Sequence, residues 1–374
     1  MDIGLSEDQT LFRETTGRFL DAECPLTKVR GLRDDATGHE PSYWRSGAEL
    51  GWTSLLVGEA DGGGSISGRG LCDLAVVAEE MGRLCSPGPL APVNVVAQTL
   101  STSGTDAQKA THLGSLLDGS LIAAWAFNEP AMRWDAARTA TSARRDGDGY
   151  VLNGTKIQVE AAAQAGLLLV TARVDGELAQ FLVPSSTDGV RVVATESLDL
   201  VRRYGDVHLS EVRVGADAII GTPADVERQL HTAIVIQSAE TCGVMQRVLD
   251  MTIEYLGDRY LFGRPLAGYQ ALKHRCADWK YKLESCHALT QASAKAVADG
   301  ADDHDTRELV SATKAYVGSV STELVQDCVQ LHGGIGVTWE HDIHIYLRRA
   351  TVNRGVHGSP IEHRERIASL LELV

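Results

Sequence analysis

Nothing in these 374 residues runs apolar for the 18 or so positions that a membrane-spanning helix needs. The N-terminus also lacks a basic stretch followed by an apolar one, so neither a span nor a secretory leader is expected. Positive charge is short as well: 35 Lys and Arg stand against 50 Asp and Glu, a formal balance of −15. Nucleic acids and anionic membranes both need a positive footprint, so neither is an expected partner. Cysteine is sparse and unpatterned. Its seven positions (24, 72, 85, 242, 276, 286 and 328) include no C-x-x-C pair and no metal-ligand spacing. An odd, scattered set argues against a disulfide framework and predicts reduced, mostly buried thiols in a cytoplasmic protein. What remains is ordinary: 44% hydrophobic and 23% charged residues, in a chain long enough for two or three globular domains.

The hydrophobic period changes twice along the chain. Ser6 is placed to cap a helix whose first turn is acidic, and Leu11, Phe12, Phe19 and Leu20 give it an apolar stripe. Leu71, Leu74, Val77, Met81 and Leu84 advance by three or four and predict a helix over 70–85. One or two more helices over 92–118 make residues 1–119 an all-α domain. From Ser120 the texture turns to short β-rich runs at regular spacing, separated by Gly, Asp and Ser, so residues 120–222 read as a β domain. From Asp225 helical spacing returns. Leu309, Ala312, Tyr316, Val320, Leu324, Cys328 and Leu331 form a core-facing stripe that Gly333-Gly334 ends, and residues 223–374 fit a four-helix bundle.

Two motifs in the helical third carry chemistry. Asp258-Arg-Tyr-Leu-Phe-Gly-Arg-Pro-Leu-Ala-Gly-Tyr-Gln270 interrupts two helices, with Gly263, Pro265 and Gly268 as breakers. It offers the guanidinium of Arg259, the ring of Phe262 and the carboxamide of Gln270, groups suited to a phosphate and its surroundings. Sixty residues on comes Gln330-Leu-His-Gly-Gly-Ile-Gly336. Alone, Arg259 reads as a solvated charge at a helix end, and Gly333-Gly334 as a helix cap. Together, R-x-x-F-G-x-P-x-x-x-x-Q followed by Q-x-x-G-G-x-G resembles the acyl-CoA dehydrogenase family, over segments from about residue 4 to about residue 370.

The resemblance implies an α+β fold: a helical domain, a β-barrel-like domain and a four-helix bundle. It also implies FAD lying across a dimer interface, its ring in one subunit's β domain and its diphosphate on the neighbour's bundle. Arg259, Phe262, Gln270, Gln330, Gly333 and Gly334 match the bundle half. The β-domain half departs from the family. Its T-E-P-x-A-G-S-D loop corresponds here to Asn128-Glu-Pro-Ala-Met-Arg-Trp-Asp135, with bulky Met132, Arg133 and Trp134 where backbone should approach the cofactor. Gln158, Val159 and Glu160 replace the W-I-T or W-I-S run that covers the flavin. The ring-binding half reads as lost.

Dehydrogenation needs a carboxylate to take the α-proton. At the usual Glu position this chain has His357, and at the alternative one it has Ala233. Glu240 lies nearby in sequence, but it sits about two helical turns along and is expected to project from another place. No catalytic residue is assigned with assurance, and His357 is the sole titratable occupant of a base position. The resulting expectation is a non-catalytic subunit of a heteromeric acyl-CoA dehydrogenase. A paralogous catalytic subunit would supply the Glu and the ring site, act on an acyl-CoA of the steroid side-chain kind, and pass electrons to electron-transfer flavoprotein. Two alternatives stand beside it: a homomeric enzyme using His357 as base, and a flavin-free binding or structural protein.

Overall fold

The computed structural model describes residues 4–300 and 303–373. Helix α1 (Glu7–Glu23) starts at Ser6, whose hydroxyl accepts from the Gln9 N–H while the Gln9 carboxamide accepts from the Ser6 N–H. Pro25 lacks the N–H that would extend it, and helicity restarts as α2 (Leu26–Gly31). Next come α3 (Pro41–Glu49) and a glycine-rich turn around residues 58–64. Helices α4 (Gly70–Arg83), α5 (Leu90–Ser103) and α6 (Asp106–Leu117) complete the first part.

The β part holds β1 (Ala123–Ala126), β2 (Ser142–Asp146), β3 (Gly149–Glu160), β4 (Leu167–Val174), β5 (Glu177–Pro184), β6 (Val190–Thr195), β7 (Tyr204–Gly215) and β8 (Ile219–Ile220). They form one sheet in the order β6-β7-β3-β2-β4-β5-β8, with β1 parallel to β4. Leu152, Val170, Phe181 and Val207 fill a separate small core on it. One irregularity matters for the site. Between Lys156 and Val159, β3 carries one more residue than the facing span of β7, and Gln158 takes a left-handed φ of 55°. Such a bulge re-aims the residues that follow it, here Val159 and Glu160.

The helical part resumes with α7 (Pro223–Asp258), a small hairpin of β9 (Tyr260–Leu261) and β10 (Arg264–Pro265), then α8 (Gln270–Ala298) and α9 (His304–His332). The expected fourth helix is divided into α10 (Ile343–Gly355) and α11 (Pro360–Leu370). The break falls where His357 and Gly358 adopt φ of 62° and 101°, values incompatible with a continuing helix. The α9 stripe is correct in its second half, where Val320, Leu324, Cys328 and Leu331 are buried. Nearer its start it is displaced by one position, to Val310, Thr313 and Val317, and Leu309, Ala312 and Tyr316 are only half-buried. All seven cysteines are free. No described helix is long and apolar enough to cross a membrane.

Helix α4 crosses α7 at glycines on both sides. A Cβ on Gly82 would lie 1.9 Å from the Glu240 carbonyl oxygen, and one on Gly243 would lie 1.9 Å from that of Glu79. The crossing fixes how far Glu240 reaches into the space beneath the sheet. Gly243→Ala should therefore cost about 3 kcal/mol, the upper end of usual overpacking penalties, in urea unfolding of the chain. A loss below about 1 kcal/mol would mean that the helices part easily.

Candidate functional site

Two regions draw on the residues singled out in the sequence, and they differ in character. The first is the end of the helical part where α7 stops and α9 stops. Arg259 closes α7, its N–H bonded to the Tyr255 carbonyl (2.9 Å), and its own carbonyl accepts from Leu266 N–H (2.8 Å). That bond, with Gly263 at φ 81° and the Tyr269 hydroxyl donating to the Leu261 carbonyl (3.0 Å), shapes the hairpin. The Arg264 guanidinium sits 3.9 Å over the Tyr269 ring. Gln270 opens α8, Gln330 lies in the last turn of α9, and Gly333 ends that helix at φ 63°.

The helices that carry the two motifs pack together beside them. The Tyr255 and His332 rings stack at 4.6 Å, and Arg275 of α8 pairs with Asp327 of α9, which also accepts from Trp279 Nε1 (2.6 Å). All six residues face solvent. The side chains of Arg259, Gln270 and Gln330 form no hydrogen bond or ion pair among the described residues, and Phe262 is 91% exposed. Tyr260, Leu261, Val337 and Trp339 are exposed on the same elements. Apolar rings in water beside unpartnered polar groups are the pattern of a surface awaiting a ligand or a second chain.

The second region lies between the sheet and the helices. Lys156, wholly buried, donates to Glu129 Oε1 (2.5 Å) and to the Phe127 carbonyl (3.2 Å). Glu129 in turn accepts from the Ala140 and Thr141 N–H groups. These contacts hold the loop from Asn128 to Asp135, in which Ala131, Arg133 and Trp134 all take left-handed φ of 56–61°. Three such residues carry strain that their surroundings must offset. Arg133 reaches out to Glu362 (3.0 Å) and Glu365 (2.8 Å) on α11, while Trp134 turns inward, edge-on to His357 at 4.9 Å.

Behind Trp134 lies a buried ion network that the motifs did not announce. Arg202 bonds Glu160 (3.1 Å) and Glu240 (2.8 Å). Arg349, with no exposed surface, pairs with both Asp199 and Glu240, and Asn353 donates to Glu240 (3.1 Å). Glu240 therefore does face this space, although it lies about two turns along α7 from Ala233: the glycine crossing brings α7 close and both arginines hold the carboxylate. Burial pushes the Glu160 carboxyl up despite Arg202. For Asp199, burial is overridden by Arg349 and the carboxyl falls to about 2. Between Glu160, Arg202, Glu240, Met81, Ile236 and His357 there remains about 10 Å³, at most one water molecule.

His357 is buried between Trp134 and Trp125, and its Nδ1 has no partner. Burial, then the nearby charges of Lys314 and Arg202, hold its imidazole well below the ordinary range, so it is neutral. Arg349 carried one signal in the sequence: it lies on the helix face of Ile345, Tyr346, Ala350 and Asn353, all buried. A charge on a core face demands partners. Arg202 and Asp199 sit in a loop and carried none.

Two measurements probe this network. Arg349→Met should cost about 3–5 kcal/mol in urea unfolding, since it strands two buried carboxylates. A near-neutral result would mean that they rehydrate or protonate. Lys314, buried and donating to Gln237 and the Asn353 carbonyl, is pulled down by burial from 10.5 to about 7. The unfolded chain then binds more protons than the folded one between about pH 7 and 10.5, so this group makes stability rise with pH across that window. Lys314→Met should flatten the rise, and an unchanged pH profile would count against it.

Comparison with known proteins matches residues 6–120 to "Acyl-CoA dehydrogenase, N-terminal domain", 124–212 to the middle domain and 220–371 to the C-terminal domain of that family. The chain is 30% identical over 370 residues to acyl-CoA dehydrogenase IpdE2 of Mycolicibacterium smegmatis, covering 97% of this chain and 98% of that protein. It is 29% identical over 330 residues to FadE12 of Mycobacterium tuberculosis, covering 84% of each. Among solved structures, a variant of the Tcur3481-Tcur3483 steroid ACAD superposes with a TM-score of 0.89 at 29% identity over 98% of both chains. The ChsE4-ChsE5 complex from Mycobacterium tuberculosis gives 0.90 at 25% identity over the whole of both.

Proposed function

Because this chain belongs to the acyl-CoA dehydrogenase family, we propose that it is the non-catalytic subunit of a heteromeric member. In this reading its bundle end holds the diphosphate and adenosine of an FAD whose ring lies in a paralogous catalytic partner. The observation that carries it is the contrast between the two regions. At the bundle end Arg259, Gln270 and Gln330 are exposed and unpartnered beside the bare backbone of Gly333 and Gly334, where an added Cβ would meet nothing within 4 Å. In the slot, Glu160, Arg202 and His357 line a space of only about 10 Å³, far too little for a flavin ring, so on this reading this chain's own ring site does not fit the cofactor.

Within such a complex each group has a physical task. Arg259 presents a planar fork of donors to phosphate oxygens, and the start of the 29-residue helix α8 adds its positive dipole end. Gln330 and Gln270 offer carboxamides to the remaining polar edges. The Phe262 ring, with its neighbours Tyr260 and Leu261, would be covered by the partner. Bound FAD supplies the hydride acceptor, and the α-proton goes to the partner's carboxylate. Similarity to a steroid ACAD and to a two-component complex supports a steroid side-chain acyl-CoA as substrate class, and family membership suggests electron-transfer flavoprotein as acceptor.

Purified alone, the chain should carry little FAD. A yellow, fully flavinated homomer reduced by an acyl-CoA would overturn the proposal. In the co-purified complex, Arg259→Ala should lower flavin affinity ten- to a hundredfold, the equivalent of about 1.5–3 kcal/mol for a charge-assisted contact. Unchanged flavin content would remove the diphosphate role. His357→Ala should leave turnover of the flavin-loaded complex within about twofold. A loss of about 10²–10⁴-fold, the size expected for a missing general base, would instead make His357 the base.

A further inference from the structure

A cleft of about 470 Å³ opens between α1, α4, α7 and α8, well apart from both regions above in what lines it. It exists because small side chains meet there: Cys72 and Ala75 on α4, Ala239 and Cys242 on α7, Ala288 on α8. Its volume lies in the range of small-molecule sites, roughly 300–1,000 Å³. The face of α4 that lines it, through Cys72, Ala75, Val76 and Glu79, is distinct from the Ala78 and Met81 face that closes the slot.

The charges along it are asymmetric. Three of its ionic groups are matched by partners: Arg13 with Glu80 (3.2 Å), Arg69 with Asp299 (2.5 Å) and Glu284 with Lys280 (2.7 Å). Two are not bonded. Glu79 has His287 at 3.6 Å, too long for a hydrogen bond, and feels Arg13, itself bonded to Glu80, only at longer range; burial pushes its carboxyl up against both charges. Lys295 has no hydrogen bond or ion pair among the described residues and reaches solvent at the opposite end. His287, which marks the Glu79 end, and Lys295 lie on one helix, eight residues and so about 12 Å apart. The wall between them carries Ala75, Val76, Ala288 and the thiols of Cys72 and Cys242, with Thr290 and Gln291 set among them.

We propose that this cleft binds an elongated aliphatic zwitterion, its ammonium on Glu79 and its carboxylate on Lys295. A cation at Glu79 supplies the countercharge that the half-matched carboxylate lacks. A carboxylate at Lys295 lies where no protein acid competes within ion-pair distance. The methylene chain between them covers Ala75, Val76 and Ala288.

Calorimetry on the full-length chain tests it, with 8-aminooctanoate as probe and octanoate and octylamine as one-ended controls. The two-ended probe should bind at least tenfold tighter than either control. Glu79→Gln should reduce it to the level of octanoate, and Lys295→Ala to that of octylamine, with melting temperatures unchanged because neither residue is in the core. Bound probe should also slow alkylation of half-buried Cys72, which lines the cleft, while leaving Cys276, which does not, unaffected. Equal binding of probe and octanoate, no heat with any of the three, or a Glu79→Gln variant that binds as well as the parent would each overturn the proposal.

Discussion

The Arg349 guanidinium, with no surface in water, is the interaction on which the centre of this molecule depends. It ties α10 to Asp199, in the loop ahead of β7, and to Glu240 on α7, and it also donates to the carbonyls of Cys85 and Ser86 just beyond α4. Elements from all three thirds of the chain therefore converge on one planar cation. A buried charge of this kind is tolerable only when its donors are satisfied, and here they are shared among two carboxylates and two backbone oxygens. Arg202 extends the same web to Glu160 at the end of β3. The web fills space as well as balancing charge, which is why the slot beneath Trp134 is closed.

That closure and the exposed bundle end are complementary pieces of one reading. A protein that had merely lost its ligand would have no reason to keep Arg259, Gln270 and Gln330 unpartnered around bare glycines. Polar groups left open at one end and locked at the other are what the proposed role, completing a partner's site, would call for.

Much of this was legible in the sequence where the signal was local. The Ser6 cap, the α7–α8 interruption with its glycines, and the unusual Trp134 and Glu160 all rest on residues within a few positions of one another. The ion network was not legible, because Arg349 is 150 residues from Asp199 and 109 from Glu240. Nothing in one strand of text pairs them. The place of Glu240 was hidden for the same reason: its distance along the helix can be counted, but the approach of α4 through Gly82 and Gly243 cannot. The α9 stripe slipped by a position where Lys314, a residue that hydropathy puts outside, is drawn into the core by Gln237 and the Asn353 carbonyl.

Helix α7 runs unbroken for 36 residues and carries Glu240 in its middle and the Arg259 junction at its end. The sealed slot and the open end are thus mounted on one rod, about 28 Å apart along its axis. No loop between them can absorb a change in length. Removing one residue from that stretch would turn Arg259 by about 100° relative to Glu240. The span between these two positions is in effect a ruler, and its length is what descendants of this chain must keep.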